Sequence, residues 1–501
     1  MRVIVYKKPM VEVVCIGGGP AGLTAAYYLS QKNTEVMVLE ADTRYVGGIS
    51  RTVQWQGFRF DIGGHRFFSK SAEVNDLWKE ILGNDLLVRS RKSRIYYRGK
   101  FYPYPFSIFK TLSNLGLRES FLCGLSYLRA RLAPTRSPQN FEQWVSNQFG
   151  ARLFRIFFKT YTEKVWGIPC TEISADWAAQ RIKGLSLSAV ITNALRSAFR
   201  FIVPKKNTIK TLIEEFLYPR KGPGMMWEAA TQRIRDYKGE VVLDAPVKSL
   251  AYDPARRAWR LRYGVSADKE VYAKNVISSM PLRELIMAID NVPPAVRDAA
   301  MKLRYRDFLM VALVLKDHHH FDDNWLYIHA PEVKVGRIQN FKAWSPEMVT
   351  DTALTCYGME YFCFDGDALW QSSEETLIAL AKKEIVSIGL VPEQDILRGC
   401  VVRQPKAYPI YDHEYRVHID VIREWMHTSC PNLQIVGRNG MHKYNNQDHS
   451  MMTALLAAKN ILAGQTVYDV WNVNQDAEYH EEGQSGASGE RQVPTSRLKS
   501  E

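Results

Sequence analysis

The chain has 501 residues, more than one hydrophobic core usually organises, so length alone points to two or three domains or one large domain with insertions. With 46% hydrophobic and 24% charged residues, its composition excludes wholesale disorder and fibrous architectures. A formal net charge of +13 favours an acidic partner, whether a phosphate-bearing substrate, nucleic acid or an anionic membrane, and selects none of them.

In chain order, residues 11–16 form a β-branched apolar run ending in Gly-Gly-Gly-Pro, residues 21–30 continue with helical character, and residues 34–39 give a second strand closed by Glu40. Gly17, Gly19 and Gly22 therefore sit on the turn of a β-α-β unit as G-x-G-x-x-G, with an acid about 20 positions on, the fingerprint of a dinucleotide site. Gly17 permits the sharp turn, Gly19 lets the backbone approach a pyrophosphate, Gly22 allows close helix-strand packing, and Glu40 can accept bonds from a ribose. On these residues alone NAD and FAD remain undivided. No second such fingerprint follows a strand, so a nicotinamide reductant, NAD(P)H, has no separate dinucleotide domain here.

Residues 77–213 read as mostly helical, interrupted by a small hairpin at 93–97 and 101–104. Strands follow at 241–243, 247–252, 258–263 and 270–277, then at 308–316, 325–329, 337–341 and 355–362, with a helix at 374–389. A strand over 432–438 runs into Gly437-Arg438, and a helix is predicted from Met451. The polar, acidic composition of 466–501 predicts a disordered tail that supplies no core.

Seven cysteines show no C-x-x-C pair and read as reduced, mostly buried thiols without a zinc site. The tract 318–320, three histidines, reads as a solvated turn and not as a metal site. Basic runs at 89–100, 129–136 and 196–210 read as a solvated basic face. With a lysine-broken N-terminus and no long apolar run, the expectation is a cytoplasmic protein with at most peripheral membrane association.

Gly47-Gly48-Ile49-Ser50-Arg51 is similar to the second glycine motif of the amine oxidase and protoporphyrinogen oxidase superfamily, which binds FAD. The element Pro219-Arg220-Lys221-Gly222-Pro223-Gly224 resembles another shared piece of that superfamily. Gly63-Gly64-His65-Arg66-Phe67-Phe68-Ser69 resembles the histidine loop of the UDP-galactopyranose mutase family, closest to its eukaryotic-type motifs, and the likeness recurs from residue 11 to about residue 462.

The resemblance implies an α/β fold. A Rossmann-type FAD-binding domain is assembled from 10–76, 214–285 and 430–465, with a helical insertion over 77–213 and a mixed-sheet substrate domain over 286–429. It assigns the cofactor to Gly17, Gly19, Gly22, Glu40, Gly47, Gly48, Arg51, Gly64, Val247, Gly437, Arg438, Asp448, Ser450 and Met451, and His65 to the flavin's side. Lys164-Val165-Trp166-Gly167 with Trp177 to Arg181, and Trp325-Leu326-Tyr327 with Gly336-Arg337, are similar to segments whose arginines grip a diphosphate, here Arg181 and Arg337. Tyr408, Tyr444 and Asn446 match groups that hold the diphosphate and sugar near the flavin.

The implied activity is a redox-neutral pyranose-furanose mutase for a nucleotide diphosphate sugar, in polysaccharide or glycoconjugate synthesis, with reduced FAD as nucleophile through N5. NAD(P)H is a conceivable electron source, and no nucleic-acid partner is expected. Ser107 stands where eukaryotic-type members tend to place a base-reading glutamine, Trp344 replaces an expected tyrosine, and the Tyr444 to Asn446 spacing is two residues short. The same motifs leave open an FAD oxidoreductase of the amine oxidase or protoporphyrinogen oxidase type, and a flavin-binding protein with a basic docking face. The sugar, the base and the oligomeric state stay open.

Overall fold

Strand Met10–Ile16 is apolar at nearly every position because it is covered on both faces, with Val13, Val14 and Cys15 fully buried. It lies at the centre of a seven-stranded sheet, between parallel neighbours Val36–Leu39 and Lys269–Ser278. Glu240–Val242 and Leu433–Ile435 add further parallel strands, and the meander Val247–Asp253, Ala258–Tyr263, Lys269–Ser278 extends the other edge antiparallel. One layer thus draws on three distant stretches of chain, with helices Pro20–Ser30 and Gln447–Ala463 packed together beside it. The computed structural model describes residues 10–104, 108–175 and 215–474. Ser107, Arg181, the basic run 196–210 and the tail beyond 474 lie outside the described residues.

The second sheet also has seven strands, in the order Ile396–Pro409, Tyr305–Lys316, Leu354–Cys363, Arg337–Asn340, Trp325–Ile328, Ser93–Tyr97, Lys100–Pro103. Its interior strands Tyr305–Lys316 and Leu354–Cys363 are buried along almost their whole length, which is why they read as continuous apolar runs. The hairpin expected inside the helical insertion belongs to this sheet instead. Ser93–Tyr97 pairs in parallel with Trp325–Ile328, in the register Ser93 to Trp325, a contact no local pattern announces. At the base of the insertion Leu86–Ser90 and Glu215–Pro219 form an antiparallel ribbon that ties its two ends together.

Two further expectations need correction. The helix predicted from Met451 begins four residues earlier, at Gln447, because Asn446 caps it: its side chain accepts from the His449 amide, while the His449 ring accepts from the Asn446 amide. The tail predicted from 466 does not hold for 466–474, which is tied down. Val470 and Val473 enter the core, Asn460 accepts from the Val467 and Tyr468 amides, and Lys443 donates to the Trp471 and Val473 carbonyls. All seven cysteines are free and six are buried, with the Cys15 thiol pushed up to about 12 by burial.

Buried histidines set an acid limit on the fold. His442, 1% exposed, faces the Ile410 carbonyl at 3.3 Å and the edge of Tyr305, and burial pushes its pKa down to about 4. His329, stacked on Tyr161, is pushed down to about 3 by burial and by Lys164. An unfolded imidazole takes up its proton near pH 6.5, and the folded one refuses it until the lower value, so stability falls as pH drops through that window. His442 alone accounts for roughly 3 kcal/mol of this loss by about pH 4. Asp61, held by Thr52 and Tyr218 and pushed up to about 7 by burial, works in the opposite sense. The readout is therefore a difference: between about pH 7 and about pH 4.5, the urea midpoint is expected to fall further in the wild type than in His442→Asn. Equal falls would assign the acid sensitivity elsewhere.

Candidate active site

The turn after the first strand is built for a phosphate to approach. Gly17 has φ +97°, and a Cβ there would lie 2.4 Å from Ser279 Oγ; a Cβ on Gly22 would lie 1.9 Å from the Gly17 carbonyl oxygen. The helix Pro20–Ser30 consequently sits directly on the turn. Gly19 caps it without a side-chain bond and Pro20 takes the first position, so the cap residue leaves the N-terminus open, where the dipole favours an anion. Glu40 accepts from the Gly18 amide at 2.5 Å and the Asp42 amide at 2.8 Å, and burial raises its pKa above the usual carboxylate range. The second glycine motif closes the other side: the Gly47 amide donates to the Gly18 carbonyl at 2.7 Å, and Gly48 backs onto Gly19.

These elements open into a cavity of about 580 Å³. Of the residues expected at the cofactor, Gly17, Gly19, Glu40, Gly48, Gly64, Val247, Gly437, Arg438, Asp448 and Ser450 line it, as do His65, Arg337, Tyr408, Tyr444 and Asn446. Gly22, Gly47, Arg51 and Met451 do not. Gly22 and Gly47 support the wall from behind. Arg51 bonds the Gly48 carbonyl at 3.0 Å and Gln404, and Met451, 1% exposed, accepts from the Trp78 indole because the helix starts one turn earlier than its sequence suggests. Ser50 Oγ, the Gln447 side-chain amide and Asp448 Oδ1 are buried along the same cavity without a hydrogen-bond partner among the described residues, as expected where a polar ligand completes the wall.

At the other end of the cavity the groups converge on Gly63, at φ +96°. A side chain there would come within 3.7 Å of His65 Nε2, 3.9 Å of Arg337 Nη2 and 4.0 Å of Tyr408 Oη. His65 Nε2 donates to the Ile62 carbonyl at 2.7 Å, and burial, reinforced by Arg438 and Arg337, pushes its pKa down to about 4, so it is neutral at neutral pH. Burial alone would lower the Arg337 pKa, but Glu360, bonded at 2.5 Å and fully buried, holds it well above the usual guanidinium range. Tyr408 and Tyr444 stack at 5.8 Å with 15° between planes, and Arg438 lies over both rings, fixed by the Asn445 and Ala407 carbonyls.

Sequence reasoning missed Glu360, which bonds both Arg337 and Gln339. A detectable signal existed, a lone carboxylate within the buried run Leu354–Cys363. Trp344, expected only as a departure, packs against Trp325 and donates to the Asn324 carbonyl at 2.9 Å while lining the cavity beside Gly64. The 318–320 tract is a solvated turn only in part: Asp395 is buried, His320 is half-buried with its side chain enclosed, and the rings of His318 and His320 both bond Asp395 Oδ2, at 2.8 and 2.9 Å.

A family model described as flavin containing amine oxidoreductase matches residues 20–388, well over half of the chain. The chain belongs to this family. Its members are flavin-containing, which implies FAD, and the cradle fits that cofactor. Flavin-containing amine oxidase A of Equus caballus is 35% identical over 124 residues, 21% of this chain and 23% of that protein, so the chain spans under a quarter of that relative's length. The dTDP-fucopyranose mutase of Escherichia coli is 24% identical over 184 residues, 33% of this chain and 45% of the mutase. Among solved structures, a reduced UDP-galactopyranose mutase aligns over 93% of this chain and 99% of its own with TM-score 0.78 and 22% identity. A putrescine oxidase bound to putrescine aligns over 91% and 99% with TM-score 0.58 and 17% identity. These structural likenesses establish the fold, and the protein is a flavoenzyme of the amine oxidase superfamily.

Proposed function

We propose that this flavoenzyme is a redox-neutral mutase that interconverts ring forms of a nucleotide diphosphate sugar. The observation that carries the reading is the convergence of Arg337, His65 and Tyr408 around Gly63, at the inner end of the dinucleotide cradle. Reduced flavin, when bound, supplies an electron-rich centre for substitution at an anomeric carbon. The protein's part is to bind and release charge at the leaving diphosphate. Arg337, oriented by Glu360, presents its guanidinium fork to a phosphate, and Tyr408 and Tyr444 offer hydroxyl groups beside it. A neutral His65 positions the loop without adding a titrating charge. Arg181 and Asn446 enter the same proposal, Arg181 on resemblance alone. The names of two similar proteins, a dTDP-fucopyranose mutase and a UDP-galactopyranose mutase, make nucleotide sugars the class to test.

The alternative is dehydrogenation of an amine, favoured by the family description and by the parallel Tyr408 and Tyr444 rings, a surface suited to a cation. Arg438 already covers those rings and Arg337 stands beside them, so a cationic substrate meets like charge.

The test is turnover of a panel of UDP- and dTDP-sugars by enzyme reduced with dithionite and by oxidised enzyme. The reduced enzyme is expected to interconvert ring forms without net use of reductant, and the oxidised enzyme to be inert. Oxygen consumption with an amine, or equal activity in both states, would give the protein to the alternative.

A further inference from the structure

The helix Leu117–Leu132 carries an apolar face that nothing among the described residues covers. Leu117, Phe121, Leu125, Leu128 and Leu132 are 93%, 67%, 49%, 56% and 86% exposed. With 3.6 residues per turn, all five fall within about 80° of arc and form one stripe along the whole helix. The opposite side is the one that packs, where Cys123 is buried, Glu119 pairs with Arg152 at 2.6 Å and Ser126 accepts from the Arg152 amide. Scattered exposed apolar residues are ordinary on any protein, but five aligned on one helix mark a surface that meets something apolar.

The borders of the stripe say what. Arg118 and Arg129 follow one edge and Arg131 the other, all exposed, and among the described residues none of them is in an ion pair. Arginine stems lie along apolar surface while their guanidinium groups reach upward, which places three cations level with the rim of an embedded stripe. An anionic bilayer satisfies both parts, acyl chains for the stripe and headgroup phosphates for the arginines. A second copy of the chain would satisfy only the first, since it would set arginines against arginines. The helix is 16 residues long with one side held by the protein, so it lies in the plane of the interface and does not cross it.

We propose that Leu117–Leu132 docks the protein on an anionic phospholipid surface, with the leucine and phenylalanine stripe at the acyl boundary and Arg118, Arg129 and Arg131 on the phosphates. The docking site is separate from the catalytic reading and stands or falls without it.

The experiment is flotation of the full-length flavoprotein with vesicles of phosphatidylcholine alone or with about one-third phosphatidylglycerol. The protein is expected to float with the anionic vesicles, and less so as salt rises. Phe121→Glu with Leu128→Glu should lower partitioning about a hundredfold. Arg129→Gln with Arg131→Gln should lower it about fivefold per arginine. Both side chains of the first pair face solvent, so flavin content and melting temperature serve as the folding control and should not move. Absence of flotation with anionic vesicles, unchanged flotation of the Phe121/Leu128 variant, or a wild-type dimer that this variant converts to monomer would each overturn the proposal.

Discussion

Arg337→Met is expected to lose turnover and stability together, and Arg337→Met combined with Glu360→Gln to regain the stability alone. Arg337 neutralises a carboxylate that is fully buried, so removing the guanidinium strands Glu360 as an unpaired charge, at a cost of about 3–5 kcal/mol. The same guanidinium reaches the point where His65 and Tyr408 meet, and loss of one such charge-stabilising donor lowers kcat/KM by about 10²–10³. Glu360→Gln removes the stranded charge, and Gln can keep its bond with Gln339. The single variant should therefore show a lowered melting temperature and weak turnover, and the double variant a melting temperature near wild type with turnover still weak. Turnover restored along with stability in the double variant would demote Arg337 to a structural pair.

The second large effect is expected at Gly22. Gly22→Ala places a methyl group 1.9 Å from the Gly17 carbonyl oxygen, and both atoms belong to the framework of the turn, so the helix must lift from the strand. Overpacking of this kind costs about 1–3 kcal/mol, and it falls on the backbone that has to approach the pyrophosphate. The variant should purify with little flavin absorbance per mole of protein and bind added FAD at least about tenfold more weakly. Gly124→Ala is the control, because a Cβ there meets nothing within 4 Å and the helix Leu117–Leu132 favours alanine. Normal flavin content in Gly22→Ala would mean that the cradle tolerates a lifted helix.

The cradle was legible because its information is local: Gly17, Gly19, Gly22 and Glu40 lie within one β-α-β unit, and each residue type answers a geometric demand of that unit. That Arg337, Tyr408 and Tyr444 line the same cavity was legible only through motifs, since they come from different strands and loops and no periodicity relates them. What stayed hidden was non-local or polar. The strand Ile396–Pro409 escaped because it is an edge strand with Arg403, Gln404, Pro405 and Lys406 in its run and irregular registers against Tyr305–Lys316. The hairpin at Ser93–Tyr97 was seen, but its parallel partner lies more than two hundred residues away. The start of Gln447–Ala463 was missed because its capping pair is Asn446 and His449, where the usual signal is a serine or threonine with a glutamate or glutamine.

A basic pocket beside the flavin that takes a dianionic guest should reveal itself in a spectral titration. Reduced flavoprotein is titrated with uridine diphosphate, thymidine diphosphate and a primary alkylamine while the flavin spectrum is followed, in wild type and in the double variant of Arg337 and Glu360. The diphosphates are expected to perturb the flavin saturably in the wild type and to do so at least about tenfold more weakly in the double variant, with no response to the amine. A saturable response to the amine with none to either diphosphate would contradict the pocket's assigned charge and its proposed chemistry together.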